Sequence, residues 1–89
     1  MKDKYFDRMF YITQLLDDAK VPYRLRKLYE GWQLVFPWSD GDVACHDGTY
    51  GHNNGMVETY QFPWDEDDVS VLTPTECAER IIELYTVGL

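Results

Sequence analysis

Basic side chains nearly vanish after the first third of this 89-residue sequence. Of its eight Lys and Arg only Arg80 lies beyond residue 30, whereas eleven of its sixteen Asp and Glu do. The formal net charge is −8. A surface of that balance repels phosphate backbones, so direct nucleic-acid binding is not expected. It leaves a protein partner, a basic one among the options, or plain solubility. Cysteine is scarce as well. Cys45 and Cys77 are too few for a disulfide scaffold and read as reduced, packed thiols. No apolar run approaches the ~20 residues that cross a bilayer. Met1-Lys2-Asp3-Lys4 leads straight into an amphipathic segment with no signal-peptide core. A soluble, cytoplasmic protein is expected. Also missing are a glycine-rich phosphate loop, a nucleophile elbow and a dinucleotide fingerprint.

Aromatics are what the chain has in quantity: seven Tyr, four Phe and three Trp. One domain over residues 1–89 has room for a single core. A chain this short buries only about 60–65% of its unfolded surface, and each buried ring removes roughly 150–250 Å² from water. The aromatics therefore compensate for size.

Apolar residues Phe6, Met9, Phe10, Thr13, Leu16 and Ala19 recur at spacings of three and four, which predicts a helix from Asp3 to Lys20. Pro22 is expected to stop it. Extended runs follow at Tyr23–Tyr29, Trp32–Phe36, Asp42–His46 and Met56–Phe62. The loop Asp47–Gly55 is rich in residues that tolerate positive φ. Thr73-Pro74-Thr75-Glu76 then has the form of a capping box, with Thr73 and Glu76 satisfying each other's backbone donors. Cys77, Ala78, Ile81, Leu84 and Tyr85 make the buried stripe of this second helix, and Gly88 its stop. The expected fold is α+β: a helix, a three- to four-stranded antiparallel sheet and a helix, with both helices on one sheet face.

One pattern recurs. Phe36-Pro37-Trp38-Ser39-Asp40-Gly41-Asp42-Val43 resembles Phe62-Pro63-Trp64-Asp65-Glu66-Asp67-Asp68-Val69, sharing Phe, Pro, Trp and the closing Asp-Val. Structurally, each proline would end ladder pairing while its Trp folds back on the core edge. Functionally, the copies would form two aromatic and acidic patches that together grip a partner, since Trp and Tyr commonly anchor interfaces. The candidate partner-binding residues are Trp38, Asp40, Asp42, Trp64, Asp65, Glu66, Asp67 and Asp68.

Three other chemistries are weighed against ordinary explanations. Cys45, His46, Asp47 and His52 lie close enough in sequence to suggest a metal site. Their spacing, however, matches no standard zinc pattern, and neighbours on a strand point to opposite faces. Solvated loop histidines are the simpler account, and no metal or other cofactor is expected. A Cys45 or Cys77 nucleophile activated by His46 or His52 would need a pocket that so small a domain barely encloses, so no enzyme is expected. The acids Asp40, Asp42, Asp47, Glu58 and Asp65–Asp68 could instead mimic nucleic acid and block a DNA- or RNA-binding protein.

Through Gly41-Asp42-Val43-Ala44-Cys45-His46-Asp47-Gly48 and Gly55-Met56-Val57-Glu58-Thr59-Tyr60-Gln61-Phe62-Pro63-Trp64-Asp65, the chain resembles small uncharacterised proteins of prophages and mobile elements in Gram-positive gut bacteria. The resemblance covers roughly the central half of the chain and runs on to Thr73-Pro74. It implies an accessory phage or mobile-element product and carries over no catalytic residues. The expected function is thus non-enzymatic, through contact with a protein partner or a second copy. The alternatives are the acidic mimic and a small metal-binding protein using Cys45, His46 and His52.

Overall fold

The computed structural model describes residues 3–66 and 69–88. Helix α1 (Lys4–Asp18) leads into five strands, β1 (Arg24–Leu28), β2 (Gly31–Phe36), β3 (Ser39–Cys45), β4 (Val57–Tyr60) and β5 (Val69–Leu72). Helix α2 (Pro74–Val87) follows. The strands form one antiparallel sheet in sequence order, each pairing with the next. The architecture is α+β, but the sheet has five strands rather than three or four. The additional strand is β5. Its four residues follow an acidic run and bury only Leu72, so it lacks the alternation that marks a strand in sequence.

Asp3 caps α1 by accepting the Tyr5 and Phe6 amides at 3.1 and 3.0 Å, and its other oxygen accepts the Trp32 indole N–H at 3.0 Å. These bonds, that from Trp32 foremost, hold the Asp3 carboxyl below the ordinary carboxylate range. The helix stops before Pro22 comes into play. Lys20 takes a left-handed conformation (φ 59°), its amide donates to the Asp17 carbonyl, and the Val21 amide donates to the Leu16 carbonyl. This is a Schellman ending, with Val21 buried beside Leu16 as the accompanying apolar contact.

The buried stripe of α1 is Tyr5, Met9, Ile12, Thr13 and Leu16. It is rotated from the expected one: Phe10 is 49% exposed, stacked on Phe6, which meets the Trp32 ring edge-on at 5.1 Å. Met9, Thr13 and Leu16 belong to both stripes, and the difference is that Tyr5 and Ile12 are buried where Phe6 and Phe10 were expected. Thr73 accepts the Glu76 amide at 3.1 Å, as its position predicts. The reciprocal half of the capping box does not form, because the Glu76 carboxylate turns to Arg80 one turn later at 2.9 Å. Gly88 closes α2 in a left-handed conformation, its amide donating to the Leu84 carbonyl.

Leu34, Val43 and Thr59 align across neighbouring strands and therefore share a face of the sheet. That face is covered by α1 against β2 and α2 against β4, and the two helices pack on each other. Leu34, Val43, Cys45, Val57, Met9, Ile12, Leu16 and Ile81 are fully buried between the layers. The opposite face carries Arg24, Arg26, Gln33, Val35, Asp42, Glu58 and Tyr60. The outer edge at β1 bears Arg24, Arg26 and Lys27, whereas the edge at β5 bears no charge.

Thr73→Ala removes the side-chain acceptor of the α2 cap and is expected to lower unfolding free energy by about 1 kcal/mol, read from urea denaturation.

Candidate functional site

The two Phe-Pro-Trp copies form comparable four-residue turns. In the first, Phe36 pairs with Ser39 across Pro37 and Trp38, the tight connection between β2 and β3. In the second, the Asp65 amide donates to the Phe62 carbonyl at 2.9 Å across Pro63 and Trp64. Each proline holds the second turn position, where its fixed φ fits and its missing N–H is not needed. The copies diverge afterwards. The first returns at once as β3, while after the second the next strand, β5, begins only at Val69.

Different side chains hold each turn. The Trp38 indole N–H donates to the Pro22 carbonyl at 2.9 Å, and Ser39 Oγ accepts the Gly41 amide at 3.1 Å. In the second turn, Asp65 accepts the Phe62 amide at 3.2 Å and the Thr59 hydroxyl at 3.0 Å. The Thr59 oxygen in turn accepts the Trp64 indole N–H at 3.0 Å. Thr59 is fully buried, so this network satisfies polar atoms that water cannot reach.

The turns meet through their phenylalanines. Phe36 and Phe62 lie edge-to-face at 5.8 Å, Phe36 contacts Trp38 at 5.2 Å, and Phe62 stacks on Trp64 at 4.6 Å. The result is a continuous ribbon of four rings. Phe62 can join it only because residue 41 is glycine: a β-carbon there would lie 2.5 Å from the Phe62 ring. Helix α2 supplies the remaining wall, with Tyr85 against Trp38 at 5.0 Å.

Between these elements lies a cleft of about 570 Å³, whose walls include Trp38, Asp40, Phe62, Pro63, Leu84 and Tyr85. That volume falls in the range of small binding sites, about 300–1,000 Å³. A second hollow of about 350 Å³ lies beyond Pro63, bounded by Trp64, Arg80, Glu83 and Leu84. There the Arg80 guanidinium covers the Trp64 ring at 5.7 Å.

Of the residues singled out from sequence, Trp38 and Asp40 line the cleft and Trp64 lines the neighbouring hollow. Asp65 is turned inward as a turn-holding acceptor. Glu66 is exposed, and Asp67 and Asp68 lie outside the described residues. Asp42 sits on the helix-free face of the sheet, where Gln33 donates to it and Arg26 donates to Gln33 at 2.8 Å. Burial raises the Asp42 carboxyl above its ordinary pKa, against the opposing hydrogen bond from Gln33. Sequence reasoning placed Tyr85 in the buried stripe of α2, yet it is 40% exposed. Its position one turn before Gly88 lets it lean over Trp38 rather than inward. Phe62, Pro63 and Leu84 were likewise not marked as site residues.

The cysteine–histidine region has another arrangement. Cys45 is buried in the core, where desolvation raises its thiol pKa even though Arg8 Nη1 lies 3.4 Å from the sulfur. Cys77 is buried and its thiol is raised by the same cause. His46 accepts the Gly48 amide at 2.9 Å and rests against Tyr29, while His52 Nδ1 contacts the Thr49 carbonyl at 2.8 Å. Asp47 accepts the Tyr5 hydroxyl. Among the described residues no three His, Cys, Asp or Glu side chains converge in a way that could hold a metal ion.

Compared with protein-family models, with curated proteins and with solved structures, the chain matches none.

Two substitutions test this geometry. Gly41→Ala must displace Phe62 and is expected to lower stability by about 1–3 kcal/mol in urea denaturation, as overpacking does. Asp42→Asn tests the effect of burial. With its folded pKa raised, Asp42 binds its proton more tightly in the folded state, so its contribution is full below the ordinary value of 3.8 and falls as pH rises through the folded pKa. The wild type should therefore lose stability relative to Asp42→Asn between pH 3.5 and pH 7, the two being compared by denaturation across that range.

Proposed function

We propose that this chain is a non-enzymatic interaction domain that engages a protein partner through the cleft between its two Phe-Pro-Trp turns. It would serve as an accessory protein of the phage or mobile-element kind that its sequence resembles. One observation carries the reading: two remote copies of the same aromatic segment meet through the buried Phe36 and Phe62, and Trp38 and Asp40 of the first and Pro63 of the second border a single cleft with Tyr85. The partly exposed Trp38 and the 40% exposed Tyr85 offer contact area at small conformational cost, and such residues commonly dominate interface energetics.

The acidic-mimic alternative draws less support. Such a mimic needs contiguous negative surface approaching the charge density of a duplex. Asp65 is committed inside its turn, Asp42 accepts from Gln33, and Glu58 accepts the Tyr50 amide at 3.1 Å.

Panning a random peptide display library on the immobilised chain tests the reading. Enriched peptides are expected to bind about tenfold more weakly to Tyr85→Ala, the effect of losing an interface anchor. Circular dichroism should show the variant folded. Peptides that ignore this substitution, or a library that yields none, would end the proposal.

A further inference from the structure

We infer that the cleft is built to receive a lysine or arginine side chain of the partner, flanked by apolar residues. This rests on the docking role proposed for the same cleft. Three independent features converge on a positive charge there.

The first is the distribution of the chain's own cations. Lys27 covers the Trp32 ring at 4.6 Å, Arg8 the Tyr5 ring at 5.4 Å and Arg80 the Trp64 ring at 5.7 Å. Among the described residues no cation covers Trp38 or Tyr85, although the two rings stand together at the cleft wall. Indole and phenol faces attract cations through their quadrupoles, most strongly when water is displaced.

The second feature is Asp40. Its carboxylate is exposed on the cleft wall, and among the described residues the only side-chain ion pair is Arg80–Glu76. Asp40 is therefore available to an incoming charge.

The third is the end of α2. Leu84, Tyr85 and Gly88 all border the cleft, so the C-terminal turn of the helix forms part of its wall. That end carries partial negative charge, which Lys or Arg in the last turn usually offsets. The last turn of α2 has no basic residue. A cation in the cleft would meet the aromatic faces, the carboxylate and the helix terminus together, while Phe62, Pro63 and Leu84 provide the apolar surface for its neighbours.

A pair of blocked peptides, acetyl-Ser-Leu-Lys-Leu-Ser-amide and its counterpart with norleucine for lysine, separates charge from shape. Each is titrated into the isotope-labelled chain and followed by two-dimensional NMR. The lysine peptide should shift the Trp38 indole, Tyr85 and Gly88 resonances with at least about tenfold higher affinity than the norleucine peptide, and added salt should narrow the gap. Asp40→Asn should bring the lysine peptide toward the norleucine one. Equal binding of both peptides at the cleft would overturn the cation preference and leave the docking role standing. Failure of both to move any cleft resonance at millimolar concentration would overturn the two together.

Discussion

The arrangement depends on Phe62 lying against the bare α-carbon of Gly41. Any side chain at that point of β3 would push the ring off the sheet. With Phe62 displaced, the second Phe-Pro-Trp turn would lose its contact with Phe36, and Trp38 and Trp64 would belong to unrelated loops. The Thr59–Asp65–Trp64 network reinforces the same geometry from below, tying the turn to a buried hydroxyl on β4. A hydrogen-bonded group in that position is costly to break, because its partners are then left unsatisfied away from water. Packing on one side and polar satisfaction on the other thus fix the place where two distant segments meet.

Much of the fold was legible because its signals are local. The Thr73-Pro74 start of α2 and the alternation in β2 follow from chemistry within a few residues. What escaped depends on partners far along the chain. β5 is a strand because β4 offers it a ladder, not because Val-Ser-Val-Leu insists on one. The rotation of α1 is ambiguous in the sequence because Met9, Thr13 and Leu16 keep helical spacing with Phe6 and Phe10 as well as with Tyr5 and Ile12, and what packs above the sheet is not a local signal. Pro22 is the visible stop signal for α1, but a left-handed Lys20, which no local signal marks, closes the helix before it.

The site was half legible. The repeated Phe-Pro-Trp pointed to Trp38 and Trp64, and the structure brings their turns together. It did not reveal that the fourth turn residue matters most in the second copy, where Asp65 is an internal acceptor and not a surface charge. Nor could it supply Leu84 and Tyr85, which stand 20 and 21 residues beyond Trp64, on α2. Acidity in this chain accordingly has several uses. Asp3 caps a helix, Asp65 closes a turn, Asp42 belongs to a polar chain on the open face, and Asp40 lines the cleft. Net charge alone could not have separated them.

Strands that pair only with their sequence neighbours give the sheet short closures. The contacts of α1 are the exception, and the longest of them in sequence, with α2, brings together segments separated by the whole sheet. Loop entropy grows only with the logarithm of length, so closing some sixty residues costs about 1.6 kcal/mol more than closing ten. A chain organised in this way can zip hairpin by hairpin and seal its interior with one long-range docking event. It therefore belongs toward the rapid end of folding rates for domains rich in β-structure.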